Sequence, residues 1–159
     1  MTHITIISIG TLKENYLKEA FDEYKKRLSH TARIDEINLK EETIKNEDDA
    51  SEIERALERE ADKIIASIPK DAYKIAMCIE GVQYDSPTLA KLIDTASKKS
   101  GKIAIIIGSS HGLAKRVKDS ADTKLSFSKL TFPHQLMRVI LAEALYRSFS
   151  ILEGKRYHK

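Results

Sequence analysis

Five consecutive apolar residues, Ile103-Ala104-Ile105-Ile106-Ile107, stand between Gly101-Lys102 and Gly108 in a chain that is 32% charged. So short a run of mostly β-branched side chains has no polar face to turn to water. It reads as the central strand of a parallel sheet, buried on both faces. A sheet of that kind needs helices against it, and the rest of the chain alternates accordingly. Thr2–Ile9 reads as a strand ending at Gly10. Residues 15–28 carry a helical stripe of Tyr16, Leu17, Ala20, Phe21, Tyr24 and Leu28. Residues 33–39 read as a second strand. The acidic segment 40–50 reads as a mobile loop. Ser51 with Glu54 forms a capping box for a helix to Ser67, with Pro69 beyond it. A strand over 73–79 is followed by a helix capped by Ser86, with Pro87 at its first position. After Gly108 come a short helix to Asp119, a strand over 124–127 and a long helix from Pro133 to Leu152. The expected fold is α/β, a mostly parallel sheet flanked by helices.

The chain has 159 residues, the size of one domain spanning 1–159. It buries roughly two thirds of its unfolded surface without help from disulfides or metal. One cysteine, Cys78, excludes an intrachain disulfide. Five scattered histidines show no metal-ligand spacing, so no metal site is expected. No apolar run is long enough to span a membrane. The N-terminus lacks the charged and apolar regions of a signal peptide. A cytoplasmic protein is expected.

Charge is uneven along the chain. Residues 1–39 carry 6 groups of each sign, and residues 40–63 carry 5 basic against 10 acidic. Residues 64–110 carry 6 against 4, and residues 111–159 carry 10 against 4. The basic C-terminal third suits a phosphate backbone. The last helix has apolar residues all round, too many for one stripe facing a sheet. The expected cover is a second subunit in a homodimer.

Three segments carry candidate chemistry. Gly108-Ser109-Ser110-His111-Gly112 lies beyond the central strand, where open parallel sheets bind ligands. Its glycines allow close backbone approach. The same residues match G-x-S-x-G, which keeps open a small serine hydrolase with Ser110 as nucleophile. No dinucleotide or P-loop fingerprint is present. The segment Leu125-Ser126-Phe127-Ser128-Lys129-Leu130-Thr131-Phe132-Pro133-His134-Gln135-Leu136-Met137-Arg138 is denser. Hydroxyls and amides between phenylalanines suit an adenine and its sugar, and His134 and Arg138 share one helix face. The tail Lys155-Arg156-Tyr157-His158-Lys159 interleaves cations with an aromatic ring, which suits stacking on a base with phosphate contact.

The N-terminal strand with Gly10, the Gly108 loop, the 125–138 segment and the terminal Tyr157-His158-Lys159 together resemble the large-subunit ribosomal RNA methyltransferase H family. That family lies within the SPOUT superfamily of knotted methyltransferases. The resemblance covers essentially the whole chain. It implies S-adenosylmethionine as methyl donor, N3 of a pseudouridine in 23S rRNA of the assembled ribosome as target, a homodimer, and a trefoil knot in the C-terminal half. The cofactor pocket it implies falls on Met77, Gly108, Phe127, Ser128, Lys129, Leu130, Thr131 and Phe132. The chain departs from the family pattern at Met77, usually leucine, at Cys78, usually acidic, and at Ser109, often glycine. Ser109 is tolerable provided its backbone avoids positive φ. Chemistry adds roles at the marked positions. The imide proton must leave, with His134 and His158 as candidate bases and Arg138 stabilising the anion or gripping a phosphate. Arg156, Tyr157 and Lys159 are the expected RNA contacts. A ribosome-associated binding protein without activity is the alternative reading.

Overall fold

The computed structural model describes residues 1–157. Ten elements alternate along the chain: β1 (Thr2–Ile9), α1 (Asn15–Leu28), β2 (Ala32–Leu39), α2 (Ala50–Ser67), β3 (Tyr73–Gln83), α3 (Ser86–Ser100), β4 (Lys102–Ile107), α4 (Lys115–Ser120), β5 (Thr123–Ser126) and α5 (His134–Leu152). The strands form one sheet in the order β2-β1-β4-β3-β5, and every pairing is parallel. The apolar run is a central strand as expected. Ile103, Ile105 and Ile107 pack with α1, α3 and α5 on one face. Ala104 and Ile106 pack with α2 and α4 on the other. Each fully buried isoleucine is worth about 1.5–3 kcal/mol over an exposed one, so β4 anchors both layers.

The structure corrects several local expectations. Helix α2 is capped by Asp49, which accepts the Ser51 and Glu52 amides at 3.0 and 3.3 Å, not by Ser51. Helix α3 is capped by Asp85, which accepts the Thr88 amide at 2.8 Å, not by Ser86. Pro133 sits at the N-cap of α5 rather than inside it. Segment 40–49 is tied down rather than loose. Glu42 pairs with Arg59 and Lys63 at 3.1 and 2.5 Å, and Glu52 accepts the Lys45 and Asn46 amides.

Strand β3 is longer than expected, and its pairing with β5 breaks between Met77 and Val82. The cause is Gly81. A Cβ there would lie 2.7 Å from the backbone carbons of Lys124 and Leu125, so only glycine lets the two strands approach. The register slips across the residues between them. In α5, Leu141, Ala142 and Leu145 are buried in this chain's own core, against α1 and α3. Leu136 and Leu152 remain exposed. The helix is thus covered on part of its apolar surface by its own chain.

Candidate functional site

The connections of the sheet diverge around β3. From β3 the chain crosses inward to β4, and from β4 it returns past β3 to the edge strand β5. Such a reversal opens a crevice at the carboxyl ends of the strands. A cleft of about 700 Å³ lies there, lined by residues of β3 from Met77 to Glu80, by the ends of β4 and β5 with the segments after them, and by the start of α5.

The wall after β4 is the glycine loop. At Gly108 an added Cβ would fall 2.3 Å from the Gly112 carbonyl oxygen. The loop closes on itself, with the Gly112 amide donating to the Ser109 carbonyl at 2.9 Å. Gly112 has φ +87°, while Ser109 is not among the positive-φ residues. The condition for tolerating Ser109 is therefore met, and its side chain turns inward, 8% exposed.

The wall after β5 is a short turn. The Ser126 hydroxyl donates to the Ser128 carbonyl at 3.1 Å, and the Leu130 amide donates to the Ser128 hydroxyl at 3.0 Å. Phe127, Ser128, Leu130, Thr131 and Phe132 border the cleft with Met77 and Gly108. Lys129 does not; it is exposed outside the lining, which corrects its expected place in the pocket. The turn bonded through Ser128 leaves Lys129 at its outer bend.

His134 opens α5 and borders the cleft, half-buried. Its Nε2 lies 3.6 Å from the position a Cβ on Gly10 would take. The Gln135 Oε1 accepts the Lys13 amide at 2.9 Å, fastening the loop after β1 to the same helix start.

Arg138 is a correction. It shares the helix with His134, but its side chain is 1% exposed and lies outside the cleft lining. Its guanidinium donates to Asn38 Oδ1 at 2.8 Å, to the Gly10 carbonyl at 2.7 Å and to the Ile9 carbonyl at 3.4 Å. Burial pulls its pKa down, opposed by the charge of Glu36. A guanidinium committed to three oxygens at the ends of β1 and β2 does not grip an external phosphate.

Next to Met77 the wall continues through Cys78, already marked as a departure from the family pattern, to Ile79 and Glu80, which the sequence did not single out. Glu80 is held below the usual carboxylate range chiefly by its hydrogen bond from Lys118, at 2.5 Å. Burial pushes the Cys78 thiol up, and the Glu80 charge adds to that. Nothing in the sequence signals the pairing of residues 80 and 118, because α4 and the end of β3 meet only in the fold.

Of the tail, Arg156 is exposed, and Tyr157 is folded back on α5. Its ring meets Tyr146 edge-on at 4.8 Å, the Arg147 guanidinium lies 4.8 Å from its centre, and its hydroxyl donates to Glu143 at 3.4 Å. Tyr157 thus packs on the fold through α5. His158 and Lys159 lie outside the described residues. Ser110 is exposed, and among the described residues no imidazole hydrogen-bonds its hydroxyl. The geometry gives no support to a hydrolase.

Sequence and structure comparisons follow the same line. A family model described as "Predicted SPOUT methyltransferase" matches residues 2–158. The chain is 45% identical over 156 residues to the ribosomal RNA large subunit methyltransferase H of Caldicellulosiruptor saccharolyticus, covering 98% of this chain and 99% of that one. It is 47% identical over 158 residues to the protein of the same name from Shouchella clausii, covering 99% of each. Among solved structures it is similar to a probable methylase family protein from Haemophilus influenzae, with a TM-score of 0.55 at 15% identity, over 98% of this chain and 70% of that one. That likeness concerns the fold alone.

Proposed function

The chain belongs to the SPOUT methyltransferase family, and from that premise we propose that it methylates N3 of a pseudouridine in 23S rRNA of the assembled ribosome, with S-adenosylmethionine as donor. The observation that carries this reading is the cleft at the carboxyl ends of β3, β4 and β5. Its volume of about 700 Å³ falls within the roughly 300–1,000 Å³ usual for small-molecule sites. The donor's chemistry fits the residues present. A Cβ at Gly108 would fill the cradle, the turn over 127–132 offers amides and hydroxyls for a ribose, and Phe127, Phe132 and Met77 offer apolar surface for adenine.

Bound there, the donor supplies a methyl group on a positive sulfonium, already activated for displacement. The protein's own part is positioning and proton removal. Gly108, Ser128 and Thr131 orient, while Phe127 and Phe132 exclude water. His134 sits at the cleft beside Gly10, where its imidazole can take the N3 proton of the incoming base. A base so placed contributes roughly 10²–10⁴-fold. Arg138 acts from behind, holding the Gly10 carbonyl and hence the surface against which His134 rests. The tail, with Arg156, Tyr157, His158 and Lys159, contacts the RNA.

The names of the relatives support the ribosomal substrate, and the basic C-terminal third suits it. A homodimer belongs to the same reading. It is supported by exposed apolar side chains, Ile79 and Leu130 at the cleft, 53% and 70% exposed, and Val82 further along β3, 56% exposed. So does a cytoplasmic location, where assembled ribosomes are found. The knotted chain path implied by the family is part of it too.

The test is nucleoside mass spectrometry of ribosomes from a strain lacking the modification, incubated with the protein and methyl-labelled donor. One labelled N3-methylpseudouridine per large subunit is expected. Unlabelled 23S rRNA under conditions where the donor binds would overturn the reading.

A further inference from the structure

Among the described residues, the titratable side chains lining the cleft are Cys78, Glu80, His111, Lys118 and His134. Of these, Glu80 is the one carboxylate and Lys118 the one ammonium. They meet in the wall between β3 and α4, where Lys118 Nζ donates to Glu80 Oε1 at 2.5 Å. That bond holds Glu80 ionised, below the usual carboxylate range. It saturates neither group. An ammonium has three protons to donate, and a carboxylate has about four lone pairs to offer. Lys124, whose charge also reaches Glu80, pairs instead with Asp119 at 3.5 Å and lies outside the lining. An ion pair open to solvent adds little to stability, so the fold gives small reason for placing this one at the cleft. The methyl-transfer chemistry described above makes no use of it.

We propose that Glu80 and Lys118 form the subsite for the amino-acid end of the donor: the Glu80 carboxylate takes its α-ammonium, and the Lys118 ammonium takes its α-carboxylate. This rests on reading the cleft as the donor site. The turn over 127–132 and Met77 serve adenine and ribose. The remaining end of the donor carries one charge of each sign, and this part of the described lining presents one fixed charge of each sign in return. A zwitterion laid against an ion pair closes a ring of alternating charges, in which every hydrogen bond is charge-assisted. Charges left unpaired on leaving water weaken binding, and the pair prevents that without adding net charge to the cleft. It also discriminates. Adenosine has nothing to offer the pair, and a nucleoside triphosphate brings only negative charge against Glu80.

Calorimetric titration with two ligands tests this. S-adenosylhomocysteine, the demethylated donor, keeps the amino-acid end. 5′-Methylthioadenosine has the same adenine, ribose and thioether sulfur without it. Wild type should bind S-adenosylhomocysteine more tightly by roughly tenfold or more, the scale of one hydrogen bond to a charged group. Glu80→Gln and Lys118→Met should each weaken S-adenosylhomocysteine by roughly tenfold while methylthioadenosine stays within about twofold of wild type. Methylthioadenosine thus reports an intact cleft in each variant. If Lys118→Met loses its fold, Glu80→Gln decides, since it keeps the size of an exposed side chain. Equal affinity of the wild type for the two ligands overturns the proposal and leaves the donor reading standing. So does a Glu80→Gln protein that binds both as wild type does, or that weakens both by the same factor. A wild type that binds neither ligand refutes the donor reading, and the subsite falls with it.

Discussion

Arg138 brings a charge into the core with no carboxylate bonded to it among the described residues. Its three oxygen partners come from Asn38, Ile9 and Gly10, and among the described residues its Nε has no partner. Truncation would leave those oxygens unpaired at about 1–3 kcal/mol for each buried group. Arg138→Ala should therefore lower the unfolding free energy by about 3 kcal/mol or more, read by urea denaturation. A wild-type denaturation midpoint with lost methylation would instead return Arg138 to the substrate. Glu60 poses the complementary case. Burial raises its pKa from the ordinary 4.5, and the nearby Glu41 and Glu42 charges add to that, against the hydrogen bond from the Glu42 amide. A carboxyl raised in the folded state stabilises most below its unfolded pKa, and that stability is lost as pH rises through the folded value. Glu60→Gln cannot ionise. Its unfolding free energy relative to wild type should rise as pH increases from about 4.5, then level off; a difference independent of pH between 4 and 8 would contradict the burial argument.

At the scale of elements, what could be read in advance was what periodicity and glycine encode. Strand β1 and helix α1 have the boundaries their apolar spacing implies, and β4 is central because its side chains admit no other place. The caps of α2 and α3 were misread because Asp49 and Ser51, or Asp85 and Ser86, are equally good capping types; only the backbone geometry chooses between them. Glu60 was illegible for a related reason. In the run SEIERALERE it looks like one more solvated acid, and the Glu42 amide that meets it inside comes from the segment before the helix. The bend in β3 was illegible too, because the approach that requires Gly81 is made by β5. That bend carries Cys78 to Glu80 to the cleft, so it is both structural and functional. Gly81→Ala places a methyl group 2.7 Å from the backbone of β5, and the strands must part. The expected cost is roughly 1–3 kcal/mol of stability, with weaker binding of S-adenosylmethionine, read by thermal melting and calorimetry. Gly101→Ala is the control. It has φ +71° with nothing near its added Cβ, so it should lose about 1 kcal/mol and leave donor affinity alone.

For the whole molecule, the placement of the tail connects fold with substrate. The chain carries net charge +3, concentrated toward its C-terminus, and the last described residue, Tyr157, rests on Tyr146 and Arg147 of α5. Neither contact is strong. An edge-on aromatic pair is worth about 0.5–1.5 kcal/mol, and a partly exposed cation–π contact adds about 0.5–1 kcal/mol. Stacking on a nucleic-acid base is worth about 1–3 kcal/mol. A docking this weak therefore competes on near-equal terms with RNA and can be exchanged for it. Deleting residues 157–159 should cost about 1–2 kcal/mol of stability, lowering the melting temperature by a few degrees in a chain of this length. Methylation of ribosomes should fall far more, by roughly 10–100-fold, the scale of the base stacking and phosphate contacts the tail supplies to the RNA. Donor affinity, set at the cleft, should hold. The salt dependence of ribosome binding should also flatten, since Lys159 no longer displaces counterions. The decisive comparison is between two ratios for the truncated protein, activity and stability relative to wild type. Equal, modest losses in both would make the tail a packing element of α5 and nothing more. A large loss of activity on a fold weakened only slightly would place the tail on the RNA.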